Sequence, residues 1–211
     1  MNVMRTMMIQ FRKPSGWLGR LAGLSMNVEH AKLWQRGLTH IAIEPEAAVL
    51  DVGCGGGKSM RILAHAAHHG RVYGLDYSEE MVRMARRVNR ALIHEGRVEI
   101  QHGTVSALPF PDATLDLVTC FETTYFWPDL PGALREIWRV LRPGGTLLIT
   151  NEAYKDARFA RRNRFWGEWS GIEQLHTPQE YLAFLTEAGY VRVETTTAPE
   201  KNWITALARR P

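Results

Sequence analysis

The sequence predicts an α/β fold in which a mostly parallel sheet carries helices on both faces. Three observations lead there. From Ala47 onward, short apolar runs alternate with longer segments of helical period, the pattern of a sheet wrapped by helices. One of those runs passes straight into the glycine-dense stretch Asp51-Val52-Gly53-Cys54-Gly55-Gly56-Gly57-Lys58-Ser59, and a helical pattern starts directly after it. Two strand-like runs close the chain across a short turn, which suits an antiparallel hairpin.

Taken in order, residues 1–42 precede the first strand and have the pattern of a helical cap, with Leu33, Trp34, Leu38 and Ile41 as its periodic apolar face. Ala47 to Val52 is a fully buried strand. Met60, Leu63, Ala64 and Ala67 fall on one face of the helix that follows, at i, i+3, i+4 and i+7. Arg71 to Asp76 is the second strand. Ser78 caps the next helix and Glu79 and Glu80 fill its first turn, both suited to the positive end of the helix dipole. Met81, Ala85, Val88 and Leu92 form its buried stripe, and Arg83, Arg86, Arg87 and Arg90 a solvated face.

Val98 to Gln101 and Leu115 to Phe121 are the third and fourth strands. A helix from about Leu130 to Leu141 buries Leu134, Ile137, Trp138 and Leu141, and Pro143-Gly144-Gly145 stops it. Thr146 to Thr150 is the fifth strand. Residues 151–176 mix arginines with aromatics and are expected to hold a short helix or a lid, because structureless loops that long are uncommon in a compact domain. Thr177 caps the last helix with Pro178 at its first position. Val191 to Thr196 and Trp203 to Ala208 form the closing pair, with Pro199 and Asn202 in the turn.

With 211 residues, the chain is expected to be one domain. Its parts are the cap (1–42), a core (43–150), a lid-like insertion (151–176) and a closing helix and hairpin (177–211). Lys and Arg number 26 against 22 Asp and Glu, a net charge of +4. That mild excess permits an anionic partner without demanding one. No apolar stretch approaches the ~20 residues of a membrane span, and Met1 to Arg12 lacks the pattern of a signal peptide. Cys54 and Cys120 are too few for a disulfide framework, which points to a reducing, cytoplasmic setting. His65, His68 and His69 share one helix, but no neighbouring Cys or acid completes a metal site, so no metal is expected.

Spacing sorts the ligands that a glycine turn at a strand end can take. A Walker loop needs a glycine where Val52 stands, although Gly57-Lys58-Ser59 matches its end. A dinucleotide fingerprint needs a third glycine where Lys58 stands. What fits is acidic-x-Gly-x-Gly-x-Gly, carried by Asp51, Gly53, Gly55 and Gly57. Asp76 ends the second strand roughly 20 residues later, where nucleotide folds place the acid that accepts from a ribose diol.

On these residues the chain resembles the class I S-adenosylmethionine-dependent methyltransferases, particularly their small-molecule branch. The likeness runs from about Val49 to Ile149. Val72-Tyr73-Gly74-Leu75-Asp76 is similar to the family's second strand, and His102-Gly103-Thr104-Val105-Ser106-Ala107-Leu108-Pro109-Phe110 to its adenine-contacting stretch. Leu115-Asp116-Leu117-Val118 resembles the fourth strand and Val140-Leu141-Arg142-Pro143-Gly144-Gly145 the turn before the fifth. The resemblance implies a Rossmann-like, doubly wound, seven-stranded mixed sheet with an antiparallel C-terminal hairpin. It also implies S-adenosyl-L-methionine as cofactor and S-adenosyl-L-homocysteine as product.

Asp51, Gly53, Gly55 and Gly57 would then shape the methionine end, with Cys54 as a small filler in the loop. Asp76 would hold the ribose, with Tyr77 and Met81 near the adenine. Gly103, Thr104 and Val105 would approach the adenine too, Thr104 standing where the family usually has an acid. Phe121 closes the fourth strand beside the cofactor.

The strand continues into Glu122-Thr123-Thr124-Tyr125-Phe126-Trp127-Pro128, where the family places cofactor and substrate contacts. Glu122 could orient a substrate amine or hydroxyl, act as base, face the sulfonium, or be a structural carboxylate. Tyr125, Phe126 and Trp127 could form an aromatic wall or pack against the next helix. His30 and His176 are weaker candidates for a base. No Asn/Asp-Pro-Pro-Tyr/Phe follows the fourth strand and no Pro-Cys occurs, so the patterns for base methylation in nucleic acids are missing. The partner expected is therefore a small-molecule methyl acceptor rather than a nucleic acid, with the protein a monomer or homodimer. An RNA or protein methyltransferase, a non-catalytic cofactor-binding module and a nicotinamide oxidoreductase are the alternatives, and the acceptor atom stays open.

Overall fold

Short apolar runs become central strands when both of their faces can be covered, and helices of matching period supply the cover. The structure, a computed structural model, describes residues 31–170, 172 and 174–211. Helix α1 (Ala31–Leu38) precedes strand β1 (Ala48–Val52), helix α2 (Lys58–Ala66) and strand β2 (Arg71–Asp76). Helices α3 (Glu79–Val88) and α4 (Arg90–His94) lead to β3 (Val98–His102) and β4 (Leu115–Phe121). A 3-10 turn at Thr124–Phe126 precedes α5 (Leu130–Val140), β5 (Leu141–Asn151) and, beyond a second such turn, α6 (Ala160–Ser170). Helix α7 (Pro178–Glu187) and strands β6 (Val191–Ala198) and β7 (Trp203–Arg209) complete the order.

The seven strands form one sheet in the order β3-β2-β1-β4-β5-β7-β6. Strands β1 to β5 pair in parallel, and β7 runs antiparallel between β5 and β6. One face buries Leu50, Val52 and Ile149 against Leu134 and Ile137 of α5 and Leu185 of α7. The other buries Val49, Val72 and Leu148 against Trp34 of α1, Met60 and Leu63 of α2 and Ala85 of α3. Adjacent residues of β1 thus serve opposite cores, as strand alternation requires. The order reverses between β1 and β4, so their C-terminal ends splay apart and leave a crevice there.

The helix caps follow the sequence. Ser78 accepts from the Met81 N–H, and Thr177 forms a capping box with Glu180, Pro178 lying at the helix start. Two elements differ from expectation. The buried stripe through Leu92 is broken because Asn89, itself buried, turns its amide onto the carbonyls of Gly57 and Ala85 at 2.9 Å each. Helix α3 ends there, Leu92 lies in α4, and both Val88 and Leu92 are half-buried.

Pro143-Gly144-Gly145 does not form a turn between helix and strand. Leu115 pairs with Leu141 and Leu117 with Thr146, so the intervening residues bulge from β5, with Gly144 at φ 80°. Helix α5 stops at Val140. Trp138, expected in the core, is half-buried under the Arg210 guanidinium, 3.9 Å from its ring centroid.

Candidate active site

The crevice at the ends of β1, β2 and β4 holds a cavity of about 310 Å³. Its first wall is the glycine loop. Gly53 has φ 74°, a conformation that favours glycine, and a Cβ there would collide with the Thr123 side chain. The Gly53 and Cys54 N–H groups donate to the Leu75 carbonyl at 2.7 and 3.1 Å, which ties the loop to β2. Gly55, at φ 51°, faces open space: nothing lies within 4 Å of the Cβ position, so a side chain would project into the cleft.

Asp76 stands at the end of β2, 7% exposed and lining the cavity. Its Oδ2 accepts from the Gly55 N–H and its Oδ1 from the Ser78 N–H, both at 2.8 Å. Each oxygen keeps further lone-pair capacity toward the cleft. Burial pushes this carboxyl up, and the two backbone donors pull it back. Tyr77, Met81, Gly103, Thr104 and Val105 continue the same wall.

Asp51 and Gly57 lie behind the wall rather than on it. The buried Asp51 carboxylate accepts from Ser59 Oγ at 2.6 Å and Thr119 Oγ1 at 2.8 Å, bracing β1 against the start of α2 and β4. Burial raises its pKa to about 6 against the pull of those two hydroxyls. Gly57 packs against Ala85 and Asn89. Cys54 lines the cavity as a buried thiol pushed well up by desolvation.

The opposite wall comes from Phe121 to Pro128 and from α1. Glu122 is 6% exposed, lines the cavity and has φ 59°. That conformation is uncommon for a residue with a side chain, and such outliers cluster at functional sites. Glu122 Oε2 accepts from the Tyr125 hydroxyl at 2.8 Å, and Oε1 is buried without a hydrogen bond of normal geometry. Desolvation, then the charge of Glu152, raises this carboxyl well above the usual carboxylate range; the Tyr125 hydroxyl, the Glu152 N–H and the Arg162 charge act the other way.

Tyr125 does not line the cleft. It sits behind Glu122 with its ring edge-on to Phe126 at 4.7 Å, which removes it from the aromatic wall. Phe126 and Trp127 do line the cavity. The sequence reading attached no site role to Trp34, yet it reaches the cavity from α1 with its ring centroid 6.3 Å from that of Phe121. Its place in the apolar stripe of the cap was the available signal, and that stripe could not distinguish packing from lining. No described residue of 151–176 lines the cleft. His176 is buried against Tyr181 and Phe184, and His30 lies outside the described residues.

Residues 50–149 match the family model described as a methyltransferase domain. Those residues form a methyltransferase domain of the S-adenosylmethionine-dependent kind. Among curated members, a demethylmenaquinone methyltransferase of Listeria welshimeri is 38% identical over 120 residues, 56% of this chain and 50% of that protein. One of Symbiobacterium thermophilum is 36% identical over 118 residues, covering 56% and 47%. The chain spans about half the length of the curated relatives it matches. A Haloferax volcanii methyltransferase, solved in complex with the Trm112 methyltransferase activator, superposes with a TM-score of 0.78 at 26% identity, covering 92% of this chain and 94% of that one. An S-adenosylmethionine-dependent methyltransferase of Aquifex aeolicus shares the fold at TM-score 0.71 and 22% identity, covering 88% and 95%.

The cleft of this domain fits S-adenosylmethionine on its own geometry. Gly55 leaves room for a ligand's close approach, and Asp76 turns unused acceptor capacity toward it. Among the described residues, no group of three or more His, Cys, Asp or Glu could hold a metal, and no helix is long and apolar enough to cross a membrane.

Proposed function

We propose that the protein catalyses methyl transfer from S-adenosylmethionine to a small-molecule acceptor. The observation that carries this is the Asp76 carboxylate, buried at the strand end and bonded to the loop that must approach the ligand. Gly53 and Gly55 would admit the methionine end, Asp76 would accept from the ribose hydroxyls, and Thr104 and Val105 would border the adenine. When bound, the sulfonium supplies an activated methyl group. The protein's work is then chiefly positioning, which can lower a barrier by ~7–11 kcal/mol.

Glu122 would face the acceptor. Its carboxyl would be the group to take a proton if the nucleophile enters protonated. Tyr125, bonded to Glu122 but off the cleft, would be a positioning residue. Relatives named for demethylmenaquinone support a small, flat acceptor, and the two buried, free cysteines suit a reducing cytoplasm.

Titration calorimetry with S-adenosylhomocysteine, with NADH as the competing ligand, tests the cofactor assignment. Saturable binding of the first alone is expected. Binding of NADH instead would replace the reading with an oxidoreductase. Radiolabel transfer to an acceptor panel then tests turnover. A second reading, favoured by the likeness to the Haloferax volcanii protein, is that an activator partner is required. Turnover that stays at background until a partner is added would establish it.

A further inference from the structure

Helix α6 lies off the cleft, yet two of its residues reach the segment that supports Glu122. In its first turns Arg161 and Arg164 are exposed, whereas Arg162 and Asn163 between them are half-buried. Asn163 Nδ2 donates to the Tyr154 carbonyl at 2.9 Å, and its Oδ1 accepts from Asn202 Nδ2 at 3.2 Å. Arg162 Nη2 donates to the Glu152 carbonyl at 3.2 Å. The N–H of that same Glu152 faces the Glu122 carboxyl. The Glu152 backbone therefore stands between the guanidinium and the carboxyl, its carbonyl held by one and its N–H turned to the other.

Arg162 brings a charge as well as a donor. Its Nε is buried with no hydrogen-bond partner, a costly state for a group that stays protonated at any physiological pH. A nearby carboxylate offsets that cost without touching it, because charges act over several ångströms in a water-poor interior. Glu122 is such a carboxylate. The titratable and charged groups acting on it are Tyr125 from its own turn, Glu152 beyond β5, Arg162 from α6 and Tyr181 from α7. Burial and the Glu152 charge oppose its ionisation, while the Tyr125 hydroxyl, the Glu152 N–H and the Arg162 charge favour it. Arg162 is the cation of this group, and among the described residues no lysine or arginine lines the cavity on the other side.

We propose that Arg162 is a positioning residue for Glu122. It fixes the Glu152 backbone behind the carboxyl and supplies the positive charge that favours the ionised form, so the seating of α6 sets the state of an acid it never touches. The bearing on turnover rests on the methyl-transfer reading, in which the ionised carboxylate would take the proton. The test does not rest on it, because it reads the Glu122 carboxyl directly, with neither cofactor nor acceptor present.

The full chain, isotope-labelled at the glutamate side-chain carboxyl carbon, is titrated by NMR between about pH 5 and 9. The Glu122 signal is assigned by its loss in Glu122→Gln. In Arg162→Met the midpoint is expected to rise by about half a pH unit or more. Arg162→Lys, which keeps the charge, should stay nearer the wild-type curve. Coincident curves for wild type and Arg162→Met, including no titration in either, would overturn the proposal. Equal shifts in the Met and Lys variants would do the same, leaving the arginine a packing residue.

Hydrogen exchange gives a second measurement that needs no arginine variant. If the Glu122 charge helps to seat Arg162, Glu122→Gln should speed exchange of the α6 amides by about threefold or more and leave those of α3 unchanged. Unaltered exchange in α6 would defeat the proposal even where Arg162→Met fails to fold.

Discussion

The two walls of the cleft are built by different means. On the cofactor side, the polar surface is largely backbone: Gly53 and Cys54 donate to Leu75, Gly55 donates to Asp76, and Asp76 also receives Ser78. Its residues come from three short stretches, the loops that follow β1, β2 and β3. On the acceptor side, the surface is side chains drawn from distant parts of the chain. Trp34 arrives from α1 and Glu122 from the end of β4, with Tyr125 behind it. A buried network of Asn151, Thr124 and Tyr181, with contacts of 2.7 to 3.0 Å, anchors the adjoining turn to β5 and α7. A common ligand can be met by geometry that any sequence with the right glycines supplies, while a particular acceptor needs particular side chains.

Substitutions can break that contrast, and their expected effects differ in size. Gly53→Ala should be the most damaging, since it combines a left-handed backbone with a collision against Thr123. A loss of about 2–3 kcal/mol in chemical denaturation is expected, together with loss of S-adenosylhomocysteine binding. A near-neutral result would mean that the loop's glycine is not needed for close packing. Asp76→Ala should weaken S-adenosylhomocysteine affinity by tenfold or more, about 1.4 kcal/mol, with the fold intact by circular dichroism. Unchanged affinity would remove the ribose assignment.

Asp51→Asn probes the brace behind the cofactor wall through pH. The folded-state pKa of about 6 lies above the ordinary aspartate value of 3.8. The protonated form is therefore favoured by folding, and its contribution is full below about pH 4 and lost as pH rises through 6. Wild-type stability relative to Asp51→Asn should fall between pH 4 and 6, by up to about 3 kcal/mol, and level off above. Parallel stability curves for the two proteins would contradict this.

On the acceptor wall, Tyr125→Phe removes the hydroxyl that donates to Glu122. A loss of about 1–2 kcal/mol is expected. Because that hydroxyl favours the ionised carboxylate, its removal should move the acidic limb of the pH–rate profile upward. An unmoved limb would show that Glu122 does not govern turnover. The smallest effect is expected at Arg83→Ala, whose exposed guanidinium pairs with the exposed Glu79 at 3.3 Å and the buried Glu80 at 2.8 Å; solvent screens the arginine, and stability should stay close to the wild-type value. That small change sets the background against which the wall substitutions are judged.

Residue type and spacing along the chain were enough for the alternation of strands and helices, the Ser78 and Thr177 caps, the glycine loop and the acid at the end of β2. Those features are local: a strand's period, a capping hydroxyl and a turn needing positive φ all act within a few residues. The break of α3 at Asn89 was not legible, because the amide that ends the helix bonds the Gly57 carbonyl from a loop 32 residues away. Nor was the Pro143-Gly144-Gly145 bulge, whose form depends on the register between β4 and β5.

Tyr125 and Phe126 are neighbours in sequence, yet one lies beneath the wall and the other on it, a division made by the 3-10 turn. Trp34 belongs to the cleft only because α1 packs over the end of the sheet. Side-chain direction at a site assembled from separate segments is set by packing against partners far along the chain, and no local pattern encodes it. The glycine loop and the acid after it were therefore legible in the sequence, while which side chains of the opposite wall face the cleft was decided only when the chain folded.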